Sequence, residues 1–185
     1  MGKLPSKAKN VFNGIVFDVY QWQQKMFDGS YQTFEMLKRH YTILILAVQG
    51  KKILFAHEEQ PGKKPAYCLF GGRQEQGEKP LSTAKRELLE ESGYTSIDWT
   101  LFKIYEPHSS IDWKIYFYIA RNCKKTGTQK LDAGEKITIK SLSFEKFLKL
   151  VDSQKFSDKI IQNDLFRIQK NSQQLNAFKK KIFSG

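Results

Sequence analysis

The chain has 185 residues with a net charge of +12, from 31 basic and 19 acidic residues, and 40% of it is hydrophobic. That length suits one domain with a sizeable core, and no long stretch has a disordered composition. The longest strongly apolar run, Tyr41 to Val48, is too short to span a bilayer and no charged-then-apolar signal segment opens the sequence, so a cytoplasmic protein without membrane contact is expected.

Residues 1–14 contain Lys3, Lys7 and Lys9 without a regular period and read as a flexible basic arm. Met1 to Ser6 fits the loose N-myristoylation pattern, which is too short to carry weight. From Ile15 to Met26 the β-branched and aromatic residues predict a strand, Asp28-Gly29 a turn, and Tyr31 to Arg39 the returning strand, giving an N-terminal hairpin over residues 15–40. Trp22 is a candidate to stack a nucleobase, although tryptophan more often anchors a core or interface. Arg39 is a candidate phosphate-binding residue.

Tyr41 to Val48 and Lys52 to Ala56 predict two strands around Gln49-Gly50, the first apolar enough to lie centrally in a covered sheet. The loop His57 to Pro65 presents Lys63, a further candidate for a substrate phosphate. A short strand, Ala66 to Phe70, then delivers the chain to GRQEQGEKPLSTAKRELLEESGY, which runs from Gly72 to Tyr94.

That stretch reads as loop, helix and stop. Gly71 and Gly72 allow a turn, Pro80 fits the first turn of a helix, and Gly93 ends it. Within the helix, spacings of three and four place Glu87, Glu90 and Glu91 on one face, and Leu81, Ala84 and Leu88 form an apolar stripe beside them. Arg86, one turn before Glu90, can orient that carboxylate. Clustered carboxylates, with Glu78 on the loop leading in, repel one another unless a cation lies between them. A hard divalent ion is the economical answer, because Mg²⁺ takes oxygen ligands and bridges carboxylates to phosphates. A solvated acidic face is the alternative for a short charge run, but two glycines, four glutamates and an arginine at fixed spacing are far more restrictive.

Beyond this stretch, Trp99 to Tyr105 and Trp113 to Ala120 predict antiparallel strands joined by Glu106 to Ser110. His108 on that connection has no visible partner and reads as polar surface. Residues 122–134 are a loop, Ile137 to Ile139 a strand, and Glu135 sits where the loop can reach a metal site. Ser143 is placed to cap a helix through Leu150, and Ser157-Asp158 to cap another carrying Ile160, Ile161, Leu165 and Ile168. Cys68 and Cys123 lack metal-ligand spacing and read as reduced thiols. Residues 171–185, with Lys179-Lys180-Lys181, read as a basic tail after a main domain spanning 41–170.

The stretch from Gly72 to Tyr94 resembles the Nudix box, G-x5-E-x7-R-E-U-x-E-E-x-G-U with U apolar, at every glycine and charged position. The hairpin, Pro107, and the acidic loop from Asp132 to Glu135 extend the resemblance to the ADP-ribose pyrophosphatase branch over about residues 15–170. The resemblance implies an α+β fold, a Nudix α/β/α sandwich with a mixed β-sheet preceded by an N-terminal β-hairpin. It implies Mg²⁺ or Mn²⁺ held by Glu87, Glu90 and Glu91, with Glu78 and the Gly72 carbonyl as further candidates. Glu135 is then the first candidate to activate water, with Glu90 as the alternative, and Arg86 belongs to the catalytic set. A homodimer is implied as well. One departure weakens the match to ADP-ribose itself: Gln60 is followed by Pro61-Gly62-Lys63 rather than by an arginine.

The leading reading is hydrolysis of the pyrophosphate bond of a nucleoside diphosphate-sugar to a nucleoside monophosphate and a sugar phosphate. An RNA 5′-end pyrophosphohydrolase, motivated by the basic body, makes nucleic acid a less favoured partner. A non-catalytic nucleotide-binding module does not need the full glutamate set.

Overall fold

The computed structural model of the protein describes residues 3–184; Met1, Gly2 and Gly185 lie outside it, and with them the start of the myristoylation pattern. In chain order the strands and helices are β1 (Lys9–Asn13), β2 (Asp18–Lys25), β3 (Tyr31–Lys38), β4 (Thr42–Gln49), β5 (Lys52–Glu59), β6 (Ala66–Cys68), α1 (Pro80–Ser92), β7 (Tyr94–Thr95), β8 (Asp98–Tyr105), β9 (Ile111–Asp112), β10 (Ile115–Arg121), β11 (Lys124–Lys125), β12 (Lys136–Leu142), α2 (Phe144–Val151), α3 (Lys159–Gln169) and α4 (Ser172–Phe183).

The central sheet has the order β12-β5-β4-β10-β8, with β6 also pairing β5. It is mixed: β4 and β10 run parallel while the other pairs are antiparallel. Alternation along each strand sends side chains to opposite faces. Leu46, Val48, Ile53, Phe55, Phe117 and Ile119 meet Phe144, Phe147, Ile161, Leu165 and Phe178 from the last three helices. Ile43, Ile45, Ala47, Leu54 and Tyr118 meet Ala84 and Leu88 of α1 on the other face. With both faces covered, β4 has to be apolar almost throughout, as its sequence anticipates. The result is the expected α/β/α sandwich.

The N-terminal hairpin forms around Gly29 (φ 88°) with Gln21 opposite Glu35 and Trp22 opposite Phe34. Its first strand begins at Asp18, later than expected, because Gly14 closes a tight turn in which its N–H donates to the Phe17 carbonyl at 3.1 Å. A substituent on Gly14 would run into that carbonyl.

The ends of the chain correct the sequence reading. Residues 9–13 are not a flexible arm but strand β1, which pairs antiparallel with the edge of β2. Residues 172–183 are not a tail but helix α4, capped by the Asn171 side chain, which accepts from the Gln174 N–H at 3.0 Å. Phe178 and Ile182 of α4 are buried in the core, each contributing roughly 1.5–3 kcal/mol of apolar burial. Two predicted cap positions also differ. Ser143 caps α2 by accepting from the Lys146 N–H, whereas Asp158 makes no cap bond at α3 and accepts instead from the Leu69 N–H at 2.8 Å.

Among the described residues no helix is long and apolar enough to cross a membrane.

Candidate active site

Helix α1 starts at Pro80 and ends at Gly93, whose left-handed conformation (φ 70°) lets its N–H bond the Leu89 carbonyl at 2.7 Å. Thr83, Ala84 and Leu88 are fully buried against the sheet, so the helix cannot rotate without losing that packing. Its acidic face is thereby aimed at the glycine loop. That loop is fixed to β4 by two bonds: Ile45 N–H to the Phe70 carbonyl at 2.8 Å, and Ile43 N–H to the Gly72 carbonyl at 2.9 Å. Gly71 adopts φ 145°, and a Cβ there would collide with the Ile43 carbonyl. At Gly72 a Cβ would meet the Glu87 carboxylate.

The glutamates occupy distinct environments. Glu91 accepts from the Gly71 N–H at 2.7 Å, tying helix to loop. Burial pushes its carboxyl well above the ordinary range, and the negative charges of Glu87, Glu135 and Glu58 add to the shift. Glu87 is raised by burial and by Glu90 and Glu135, against the opposing pull of Arg86. Glu135, whose N–H bonds the Asp132 carbonyl at 2.9 Å, is raised by burial, then by Asp132 and Glu58. Glu90 is the most open of the helical set, with 39% of its side chain exposed.

Arg86 is the counterweight. Its Nη1 lies 2.9 Å from both Glu87 Oε1 and Glu90 Oε2. Nε and Nη2 each lie 3.2 Å from a Glu78 oxygen, and Nη2 also donates to the Arg73 carbonyl at 3.3 Å. Glu78 additionally accepts from the Thr83 hydroxyl at 2.8 Å, and its carboxyl is held below the ordinary range chiefly by Arg86.

Glu87, Glu90, Glu91, Asp132 and Glu135 line a single open cavity of about 440 Å³, together with Gly71, Gly72, Arg73 and Lys130. The sequence-predicted residues Gly72, Arg86, Glu87, Glu90, Glu91 and Glu135 are all in this wall. Glu78 is outside it. Trp22 packs against Phe34 with ring centres 6.0 Å apart and donates to Gln24 Oε1 at 3.1 Å, away from the acidic cavity. Arg39 lines a neighbouring cavity that shares Glu75 with the acidic one, and Lys63, bonded to Gln60 Oε1 at 2.5 Å, lines another that shares Glu135. His108 is an exposed loop residue whose ring nitrogen accepts from the Ser110 N–H at 3.3 Å.

Sequence reasoning missed Arg73, Lys130 and Glu58 as neighbours of the acids. Glu58 accepts from Gln60 Nε2 at 2.5 Å and from the Cys68 thiol at 3.5 Å. Only the pairing of Glu58 with Ile137 and Ala66, across three strands, places it near Glu135, and no local spacing encodes that. Burial, with Asp158 and Glu58 adding to it, pushes the Cys68 thiol far up, and Cys123 is pushed up to about 11.

Among the described residues, no three His, Cys, Asp or Glu side chains are already gathered at metal-binding spacing. Arg86 and the Gly71 N–H hold three of the glutamates in this arrangement. The donor set nonetheless fits a hard divalent cation: oxygen donors only, with burial first and neighbouring negative charge second raising Glu87, Glu91 and Glu135.

A family model described as the NUDIX domain matches residues 36–163. An ADP-ribose pyrophosphatase of Bacillus subtilis (strain 168) is 29% identical over 154 residues, covering 81% of this chain and 83% of that protein. A methanol dehydrogenase activator of Bacillus methanolicus is 25% identical over 167 residues, covering 85% of this chain and 90% of that protein. A solved structure titled as an ADP compounds hydrolase shares the fold with a TM-score of 0.70 at 16% identity, over 89% of this chain and 91% of that one. With the family model spanning well over half of the chain and the box set around an acidic cavity, the chain belongs to the Nudix family, as a Nudix pyrophosphohydrolase.

Proposed function

We propose that this enzyme hydrolyses the pyrophosphate bond of a nucleoside diphosphate-sugar, ADP-ribose or a related ADP compound, in a metal-dependent reaction in the cytoplasm. The observation that carries this reading is the convergence of Glu87, Glu90, Glu91 and Glu135 on one cavity in a chain of net charge +12. The named relatives, an ADP-ribose pyrophosphatase and an ADP compounds hydrolase, support the choice of substrate class.

Glu87, Glu90 and Glu91 would hold Mg²⁺ or Mn²⁺, with the Gly72 carbonyl as a further oxygen donor. The ion, when bound, neutralises phosphate oxygens and lowers the pKa of a water molecule. Glu135 accepts the proton as the water oxygen forms its bond to phosphorus and the bridging P–O bond breaks; its raised carboxyl keeps proton affinity closer to neutral pH. Arg86 keeps Glu90 oriented, and Glu78 acts through Arg86 as a positioning residue. Arg39 and Lys63, which line the two flanking cavities, would meet the ends of the substrate. A base-stacking role for Trp22 requires the nucleotide to extend over the hairpin.

The second part of the reading is a homodimer. Phe12, Ile15 and Val16 beside the hairpin, and Tyr31 and Phe34 on β3, expose large apolar side chains, a pattern that marks contact surfaces. Sedimentation of wild type and Phe12→Asp checks it: a dimer that the variant weakens is expected, and a wild-type monomer at all concentrations contradicts it.

The substrate assignment is tested by release of nucleoside monophosphate from ADP-ribose, ADP-glucose, GDP-mannose and 5′-triphosphorylated RNA. Turnover of one nucleotide sugar above the rest is the expected result, and cleavage of RNA alone would replace the proposal.

A further inference from the structure

The two ends of the central sheet differ in charge. At one, the start of β4 meets the glycine loop and the acidic cavity, where the Ile43 N–H bonds the Gly72 carbonyl at 2.9 Å. The other end lies roughly 20 Å away along the eight residues of β4, where the chain turns into β5 with Gln49 opposite Lys52. Three elements bring lysines to it. The turn itself carries Lys51 and Lys52. The Cys123 N–H bonds the Val48 carbonyl at 2.8 Å, which sets Lys124 and Lys125 of β11 beside the turn. Helix α4 ends at the same place: the Lys181 carbonyl accepts from Arg121 Nε at 2.9 Å, and Lys179 and Lys180 line a cavity with Lys51.

The acids at this end are already engaged. Asp98 pairs with Arg121 at 2.7 Å and Glu145 with Lys179 at 3.1 Å. Lys51, Lys52, Lys124, Lys125, Lys180 and Lys181 are all exposed, and among the described residues none of their ammonium groups has a hydrogen bond or an ion pair. They leave a surplus of six charges, half of the chain's net +12, at one end of one sheet. Lysines in the last turn of α4 complement the helix dipole, which gives Lys180 and Lys181 a structural role. Lys51, Lys52, Lys124 and Lys125 stand on strands and a turn and have no such role. Cations spread over three elements do not converge on a single phosphate; they suit a chain of phosphates, whose condensed counterions they release.

We propose that this end of the sheet is a docking surface for the backbone of single-stranded nucleic acid, bound without regard to sequence and apart from the acidic cavity. RNA and DNA strands share that backbone chemistry. A duplex groove is read by a projecting helix or two-stranded ribbon, whereas α4 lies against the sheet through Phe178 and Ile182 and β11 has two residues. A lipid surface calls for several exposed apolar side chains beside the lysines. Here Phe144 and Ile182 are buried, and Ile97, next to Asp98, is the one large apolar side chain among the described residues of this end that projects fully. The surface holds the enzyme on a polyanion and leaves its chemistry unchanged.

The test is fluorescence anisotropy of oligouridylate and oligothymidylate of about 20 nucleotides, longer than one such site, titrated with the full chain at several salt concentrations. Both probes carry a 5′-hydroxyl and the buffer a chelator, so that the acidic cavity, without a cation, repels them. Neutralising about six phosphates predicts a slope of log K against log salt near −4. Replacing Lys51, Lys124 and Lys180 together by Ala removes ammonium groups that make no bond, so the melting temperature should hold. The slope should then fall to about −2, and binding at low salt should weaken at least about 10-fold. A control with Lys25, Lys140 and Lys149 replaced by Ala, equally exposed and elsewhere on the molecule, should keep the wild-type slope. Absence of binding to both probes at low salt overturns the proposal. So does an equal loss in the two triple variants, which would reduce the effect to net charge. Cosedimentation with phosphatidylserine-containing vesicles, without binding to either strand, would replace it with a lipid surface.

Discussion

Arg86 holds Glu78 with one edge of its guanidinium, Nε and Nη2 each 3.2 Å from a carboxylate oxygen. This pair turns Glu78 away from the acidic cavity and toward the helix start, where Thr83 completes its bonding. The Nudix box therefore contains two kinds of glutamate in one motif. Replacing Glu78 by Ala is expected to cost about 1–3 kcal/mol, because two partners of a charged group are left unpaired. Turnover should fall by less than about 10-fold, far less than for a residue that touches the reacting atoms. Urea melts and kcat for Glu78→Ala check both halves. A loss of turnover as large as that of Glu90→Gln, without a loss of stability, would return Glu78 to the metal set.

Asp158 supplies a pH prediction away from the acidic cavity. Its carboxylate accepts from the Leu69 N–H, and burial raises its pKa from 3.8 to about 6. The unfolded chain releases this proton near pH 4, while the folded chain keeps it to about pH 6. Over that window the folded state binds more protons, so stability falls as pH rises, by up to about 3 kcal/mol from this group. Asp158→Asn keeps an acceptor for Leu69 and never ionises. Its melting temperature should match wild type near pH 4 and exceed it near pH 7. A variant less stable than wild type at pH 7 would mean that the ionised carboxylate stabilises the fold.

Gly71 has the most constrained backbone in the site loop. Its φ of 145° disfavours any side chain, and a Cβ would overlap the Ile43 carbonyl, which belongs to a central strand and cannot yield. Gly71→Ala should therefore lower stability by more than about 2 kcal/mol and displace the N–H that holds Glu91. Thermal melts check the first effect. A variant as stable as wild type would show that the loop has a second, relaxed conformation.

Much of this architecture is legible from local pattern. The apolar run of β4, the glycine stop at Gly93 and the i+3 and i+4 spacing of Glu87, Glu90 and Glu91 are short-range signals, and each corresponds to a feature of the structure. What sequence reading misses is set by long-range pairing. Strand β1 forms because the edge of β2 offers it hydrogen bonds, and nothing within Lys9 to Asn13 announces that edge. In α4 the apolar stripe Leu175, Phe178 and Ile182 has helical spacing, but the lysine run beside it draws the reading toward a solvated tail. Asp158 looks like a helix cap until the loop carrying Leu69 comes alongside it. Glu58 and Arg73 likewise gain their roles from strands and loops brought together only in the fold.

The central claim is that carboxylate-dependent hydrolysis takes place in the acidic cavity. The most direct measurement is the rate of AMP release from ADP-ribose by wild type and Glu90→Gln, each with Mg²⁺ and with chelator, on protein shown by melting to be folded. The account predicts turnover by wild type that the chelator abolishes, and a loss of more than about 100-fold in Glu90→Gln. Turnover that survives both the chelator and the Glu90→Gln substitution would contradict it.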